Sequence, residues 1–228
     1  MIENRDRFLK RIASRLGREE PRLTGVKRPV YSRSPQHRVL EGASTEELVD
    51  VFTKQCARIH TDVKVATVDT LEVVLQGALD EIGAKSVLAW DDARFSQYGL
   101  EGFVGKVDVW REGEASLVDT AERADVGITF SDRTLAESGT VVLFSGPGRG
   151  RSVSLLPESY IAIVPKSTLV PRMTQVTTEI HERVARGDDM PSCINFISGP
   201  SNSADIEMSL VVGVHGPVRA CYILVDDV

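Results

Sequence analysis

An α/β fold, with a mainly parallel sheet flanked by helices, is the architecture this sequence predicts. Three observations predict it. Short β-branched runs alternate with longer segments whose apolar residues recur every three or four positions. The two central runs, residues 126–130 and 140–145, are short and bounded by turn residues, as buried strands are. Helix start and stop residues stand where the helical segments begin and end.

The elements follow in order. Ile2, Phe8, Leu9, Ile12 and Leu16 fall at helical spacing and Gly17 closes the segment. Residues 18–43 are rich in Arg, Pro, Ser and Gly and read as an extended arm. The expected division is therefore an N-terminal helix and basic arm over 1–43 and an α/β domain over 44–228. Ser44 with Glu47 predicts a capping box, followed by Leu48, Val51, Phe52 and Ile59 on one helical face. Residues 63–68 read as a strand. Asp69 with Glu72 predicts the next helix, which carries Leu71, Leu75 and Leu79 and stops at Gly83. Strands are expected at 86–90 and 106–110, then a short helix at 115–123. The stretch 131–139 reads as a loop between the two central strands. Beyond them come a strand at 160–164, a helix at 168–186 with Pro171 in its first turn and Gly187 past its end, and a strand at 193–198. A turn at 199–203 leads into a predicted short helix at 204–210, and 219–225 is the last strand. The link from 143 to 161 is too short for a helical crossover, so part of the sheet structure is expected to be antiparallel or a hairpin layer.

Bulk properties narrow the function classes. The chain has 228 residues, 42% hydrophobic and 26% charged, as soluble globular domains do. It holds no apolar run near the ~18 residues of a membrane span. The opening MIENRDRFLKR lacks the apolar core of a signal peptide, so a cytoplasmic location is expected. Cys56, Cys193 and Cys221 are dispersed and form no CxxC pattern, so neither a disulfide framework nor an iron–sulfur cluster held by this chain alone is expected. The net charge of -6 hides an asymmetry: residues 1–38 carry eleven basic and four acidic side chains, a balance of +7, and the rest balance at -13. A basic arm on an acidic body suggests docking to an acidic surface, its own included. Nucleic acid is not an expected partner, because the body is acidic and lacks interleaved basic and aromatic residues.

Four stretches carry candidate chemistry. Glu137 stands in a Glu137-Ser138-Gly139-Thr140 turn, where a carboxylate can act as nucleophile or general base and backbone N–H groups can steady an oxyanion. The same pattern also suits a turn carboxylate bonding backbone amides. Residues 146–152, with Arg149 and Arg151, can cradle phosphate or carboxylate in a glycine-rich nest, or form a hairpin loop with solvated arginines. Gly199, Ser201 and Asn202 belong to a turn of small polar residues, in which Asn202 and Asp205 are expected to cap the short helix. His215 sits in a glycine-flanked loop and can titrate near neutral pH as acid or base, or bond a loop carbonyl. Asp205, Glu207 and His215 are not a metal set, because Asp205 and Glu207 point to different sides of the predicted helix. Glu137 and His215 are the catalytic candidates. Ser138, Gly139, Thr140, Arg149, Arg151, Gly199, Ser201 and Asn202 are the anion-binding candidates, with Glu137, Arg151, Ser201 and His215 expected around one small-anion pocket.

Three segments taken together, GITFSDRTLAESGTVVL, SLLPESYIAIVPKSTLVPRM and ISGPSNSADIEMSLVVGVHGP, resemble the LUD-domain family in its lactate-utilization branch, over residues 44–228. The resemblance implies a glucosamine-6-phosphate deaminase/ribose-5-phosphate isomerase/CoA-transferase-like fold. It implies a non-redox subunit of a three-protein system that oxidises L-lactate to pyruvate, with iron–sulfur clusters on the other two proteins and no cofactor on this one. It does not supply a chemical step for this subunit. The expected partners are those iron–sulfur subunits and a small carboxylate or phosphate, with a homodimer allowed. Glu137-Ser138-Gly139 is also similar to the E-N-G-like turn that carries the glutamate nucleophile of family I CoA-transferases, which makes an independent acyl- or CoA-transferase-like enzyme the rival reading. A regulatory or assembly protein without turnover is the third.

Overall fold

β-branched runs that are apolar on both faces belong between covering layers, and here they line up side by side in parallel. The computed structural model describes residues 4–25, 29–114, 116–206 and 209–228. In chain order the elements are α1 (Arg5–Arg15), α2 (Pro35–Arg38), α3 (Thr45–Arg58), β1 (Thr61–Thr67), α4 (Leu71–Ile82), β2 (Val87–Ala89), α5 (Arg94–Gln97), α6 (Glu101–Val104), β3 (Asp108–Val109), α7 (Ser116–Arg123), β4 (Val126–Phe130) and β5 (Arg133–Leu135). They continue as β6 (Thr140–Phe144), α8 (Ser152–Leu155), β7 (Ser159–Pro165), β8 (Leu169–Val170), α9 (Met173–Arg186), β9 (Ile194–Ile197), β10 (Asn202–Ile206), β11 (Ser209–Val212) and β12 (Arg219–Asp226).

The chain divides into two units, Met1–Pro35 and Gln36–Val228. In the first, α1 ends at Arg15 with Leu16 as its C-cap, and Gly17 takes a left-handed φ of 67°, as its sequence predicts. Ile2, which the pattern assigned to this helix, lies outside the described residues.

In the second unit, six strands form a wholly parallel sheet in the order β1-β12-β7-β4-β2-β3. All five residues of β4 and all seven of β7 are buried. The other strands form a second sheet, β8-β5-β6-β9, antiparallel at β5–β6 and β6–β9, and a separate hairpin of β10 and β11. The antiparallel layer foreseen from the short 143–161 link is therefore present as its own sheet. α9 packs on that sheet through Val176 and Ile180, against Leu135 and Val142. Ser44 and Glu47 close the capping box on α3: the Ser44 N–H donates to Glu47 Oε2 at 2.8 Å and the Glu47 N–H to Ser44 Oγ at 3.2 Å. Gly83 ends α4 with a φ of 75°.

Several expectations are corrected. The stretch 131–139 is not all loop, since β5 pairs with β6 within it. The helix expected from residue 168 starts at Met173. Pro171 keeps Val170 extended, because the residue before a proline disfavours helical backbone, and Leu169–Val170 joins β5 as a strand instead. Asp69 does not start α4, which begins at Leu71 after a 3₁₀ turn at Val68–Thr70. The helix expected at 204–210 is a pair of strands. A β-branched run at 211–212 and Ile206 favour pairing, and Asn202 lies in β10 rather than at a helix cap. Asp205 is likewise a strand residue, and Glu207 and Met208 lie outside the described residues. α5 and α6 had no pattern long enough to announce them.

β4 carries one residue whose identity the packing dictates. A Cβ built on Gly127 would lie 1.8 Å from the Val153 carbonyl oxygen, so α8 rests directly on the strand backbone. Gly127→Ala is expected to destabilise the protein by about 3 kcal/mol through overpacking. His60, just past the C-cap of α3, holds a left-handed φ of 56° that suits glycine better. His60→Gly is expected to add about 1 kcal/mol. Urea unfolding of the two variants against the parent protein checks both.

Candidate functional site

The carboxyl ends of parallel strands are where α/β sheets place ligands, and β2 and β4 each release an aspartate there. Asp92 follows β2 and its side chain is 1% exposed, while Asp132 follows β4. Two guanidiniums answer them. Arg94 Nη2 lies 2.6 Å from Asp92 Oδ2 and 3.1 Å from Asp132 Oδ1. Arg149 Nε lies 3.0 Å from Asp92 Oδ2, and its Nη1 lies 3.2 Å from Asp132 Oδ1. The four charges thus alternate in a closed ring. Backbone groups complete it: the Phe144 N–H donates to Asp132 Oδ2 at 2.7 Å and Arg94 Nη1 donates to the Ser131 carbonyl at 3.1 Å. Burial alone would push the Asp92 carboxyl up. Arg94's hydrogen bonds and charge, with that of Arg149, outweigh it and hold the carboxyl below its ordinary value.

The ring fixes the glycine-rich loop. The Asp91 N–H donates to the Gly148 carbonyl at 3.0 Å and Trp90 Nε1 donates to the Gly150 carbonyl at 2.9 Å. A Cβ on Gly150 would lie 2.1 Å from the Trp110 ring, so only glycine lets the loop lie against it. The loop is thus a packed wall, not an open nest of amides. With Arg151 it borders a cleft of about 730 Å3 whose other walls include Trp110, Glu112, Phe144, Arg183 and Asp189. Arg183 stacks over the Phe144 ring at 5.2 Å. Arg151 is exposed and has no ion pair among the described residues. Arg151, and Arg183 beside its partner Asp188 at 3.9 Å, bring guanidinium donors to the cleft that can meet a carboxylate or phosphate. The volume falls within the range of small-molecule sites.

The remaining candidates lie elsewhere. Gly199, Ser201, Asn202 and His215 line a smaller pocket of about 290 Å3 together with Ser198 and Tyr160. Its turn is pinned by Tyr222, whose hydroxyl accepts from the Gly199 N–H at 3.0 Å and donates to the Ile197 carbonyl at 3.2 Å. Ser138 Oγ, Thr140 Oγ1 and Ser198 Oγ form a hydroxyl chain with separations of 2.7 and 2.6 Å, which ties the Glu137–Thr140 turn to this pocket. Gly139 and Gly199 both press on the end of α3: a Cβ on the first would meet Ile59 Cδ1 at 2.9 Å, and on the second the Ile59 carbonyl at 2.6 Å. Glu137 itself borders neither pocket. It is 41% exposed and ion-paired with Arg172, at the end of β6 opposite the glycine-rich loop. Of the four residues expected around one anion pocket, Ser201 and His215 share the small pocket, Arg151 lines the cleft, and Glu137 stands apart.

Asp92, Arg94, Asp132, Trp110 and Arg183 were not singled out in the sequence. A signal existed for the aspartates, since each stands within three residues of the carboxyl end of a strand of the parallel sheet. Arg183 is one charge among several on α9 and carried no signal.

Comparison with known proteins places these features in a family context. A family model described as LUD domain matches residues 33–225. A lactate utilization protein C of Halalkalibacterium halodurans is 60% identical over 231 residues, covering all of both chains. One from Shouchella clausii is 60% identical over 232 residues, again covering both fully. One from Geobacillus kaustophilus is 52% identical, covering 99% of this chain and 98% of its own. Among solved structures, a DUF162 family protein from Deinococcus radiodurans matches with a TM-score of 0.58 at 22% identity, over 80% of this chain and 98% of its own.

The charge ring sets an expectation for stability. Asp92→Asn removes one carboxylate and leaves two guanidiniums facing Asp132 alone, at an expected cost of about 3 kcal/mol. The Asp92 carboxyl is lower in the folded than in the unfolded chain. Its contribution is therefore fully present above the ordinary carboxylate pKa of about 4 and is lost as pH falls through the lower folded value. Urea midpoints from pH 7 down to pH 2 are expected to fall less steeply for Asp92→Asn than for the parent.

Proposed function

The chain belongs to the LUD domain family, and from that premise we propose that it serves lactate utilization as a subunit without redox centres of its own, holding a small carboxylate in the arginine-lined cleft. The observation that carries the reading is full-length similarity to proteins named lactate utilization protein C. The chemistry of the cleft supports the finer part. Arg151 has no ion pair among the described residues, and Arg183, which pairs with Asp188 at 3.9 Å, lines the same cleft, so a carboxylate entering there meets guanidinium donors.

Oxidising a 2-hydroxy acid to a 2-oxo acid takes two electrons and two protons from the substrate, and the electrons need an acceptor. This reading places that acceptor in iron–sulfur clusters on partner subunits. The thiols of this chain support it. Cys56 and Cys221 are buried, and none of Cys56, Cys193 and Cys221 stands near another in the chain as a cluster-binding CxxC pattern requires. The role left to this chain is binding and orienting the anion. The reading asks nothing of Glu137, whose carboxylate Arg172 already satisfies.

The test is complementation of a strain lacking this chain. Arg151→Gln with Arg183→Gln is expected to abolish growth on L-lactate but not on glucose, and Glu137→Gln to grow normally. Calorimetric titration of the purified protein with L-lactate and pyruvate is expected to show binding weakened about tenfold to a hundredfold by the double arginine change. Normal growth and binding of a folded double variant would remove the carboxylate from the cleft. Normal growth on lactate without the chain would overturn the lactate role itself. Lost growth of Glu137→Gln at an unchanged melting temperature would move the chemistry to the Glu137 turn.

A further inference from the structure

The first unit and the second carry surfaces of opposite character, and neither surface has a role in the cleft. On α1 and its C-cap, Phe8, Ile12 and Leu16 recur at intervals of four and form one stripe, with Arg7, Arg11 and Arg15 as the adjoining stripe. The apolar stripe faces solvent, with Phe8 64%, Ile12 42% and Leu16 60% exposed. An exposed apolar row beside a basic row is the pattern of a helix made to lie in an acidic groove. The second unit has such a groove. A depression of about 670 Å3 at the start of α3 is lined by Leu40, Ala43 and Val51, together with Glu41, Glu46, Glu47 and Asp50. Two of these carboxylates already have partners in the same chain: Glu46 pairs with Lys166 at 3.4 Å, and Glu47 Oε2 accepts the Ser44 N–H at 2.8 Å. Glu41 is exposed and has no ion pair among the described residues, and Asp50 pairs there only with the exposed Lys54. Leu40 reaches the groove from a left-handed backbone, φ 58°, a conformation that costs a branched residue energy and persists only where its surroundings hold it.

We propose that two copies of this chain exchange their N-terminal helices, each α1 seating its apolar stripe in the acidic groove of the other copy. The occupant is a second copy because one chain carries both halves of a complementary pair. Two copies related by a two-fold axis make the contact twice, and the second contact forms at high effective concentration once the first is made. Arginines of the basic stripe then meet Glu41 and Asp50 at the groove's edge, while Phe8, Ile12 and Leu16 leave water.

Light scattering on the full chain tests this. The parent is expected to run as a dimer at low salt and to dissociate at least about tenfold more readily in molar salt, where exposed charges are screened. Arg7→Glu with Arg11→Glu and Arg15→Glu is expected to give a folded monomer, as is Glu41→Lys with Asp50→Lys. Combining all five changes in one chain reverses both partners and is expected to restore the dimer. A monomeric parent would overturn the proposal, as would a dimer indifferent to both sets of changes. Mixing a Leu16→Cys chain with a differently tagged Glu41→Cys chain under oxidation is expected to join the two tags. A disulfide that forms only when Leu16→Cys and Glu41→Cys are made in the same chain would place the helix in its own groove and overturn the exchange.

Discussion

Two carboxylates stand at the ends of neighbouring parallel strands with almost no water to solvate them, and most of the site follows from how they are neutralised. Asp92 and Asp132 are close enough to share both Arg94 and Arg149. A buried pair of like charges would otherwise be costly, and removal of either cation would leave that cost exposed. Arg94 is local, two residues beyond Asp92. Arg149 comes from the glycine-rich loop after β6, which belongs to a different sheet. The ring therefore fastens the second sheet's loop to the carboxyl end of the first, and the cleft lies along that seam.

Backbone contacts share the work. The loop lies flat because Gly148 and Gly150 carry no Cβ to meet Asp91 and Trp110, and Trp90 donates to it from below the ring. Arg149 can then serve the aspartates while Arg151, two residues on, is left for the cleft. The same logic governs the other end of β6. Gly139 and Gly199 let two turns press on α3, and a chain of hydroxyls links them. Glu137 projects away from that packing and meets Arg172 near the surface. Similar-looking small-residue turns thus do different things: one walls an open cleft, and the others tie loops to a helix end.

Much of this was legible in the residues. Strand positions, the capping box at Ser44, the left-handed Gly83 and Gly187 and the parallel architecture all follow from periodicity and local turn chemistry. Arg149 and Arg151 were legible as two arginines of one glycine-rich loop, and Gly199, Ser201 and Asn202 as one turn of small polar residues. The misreadings have local causes. Pro171 suits a first helical turn, but its stronger effect is to hold Val170 extended. The 204–210 stretch has a helical spacing but runs into Val211 and Val212, and pairing decided between helix and strand.

Local backbone preference and apolar periodicity act over a few residues, so the amino-acid sequence alone determined the strands of the parallel sheet, the longer helices, the class of fold and the basic–acidic division of the chain. Contacts between residues far apart in the chain obey no such period. Whether Arg149 would face a ligand or two aspartates depended on how the β6 loop returned to the main sheet. Whether Glu137 would share a pocket with Arg151 depended on which end of β6 each turn occupied. Those outcomes belong to the tertiary structure, because charge pairing and burial are settled by distance in space, and only the packed sheets bring these groups within a few ångströms.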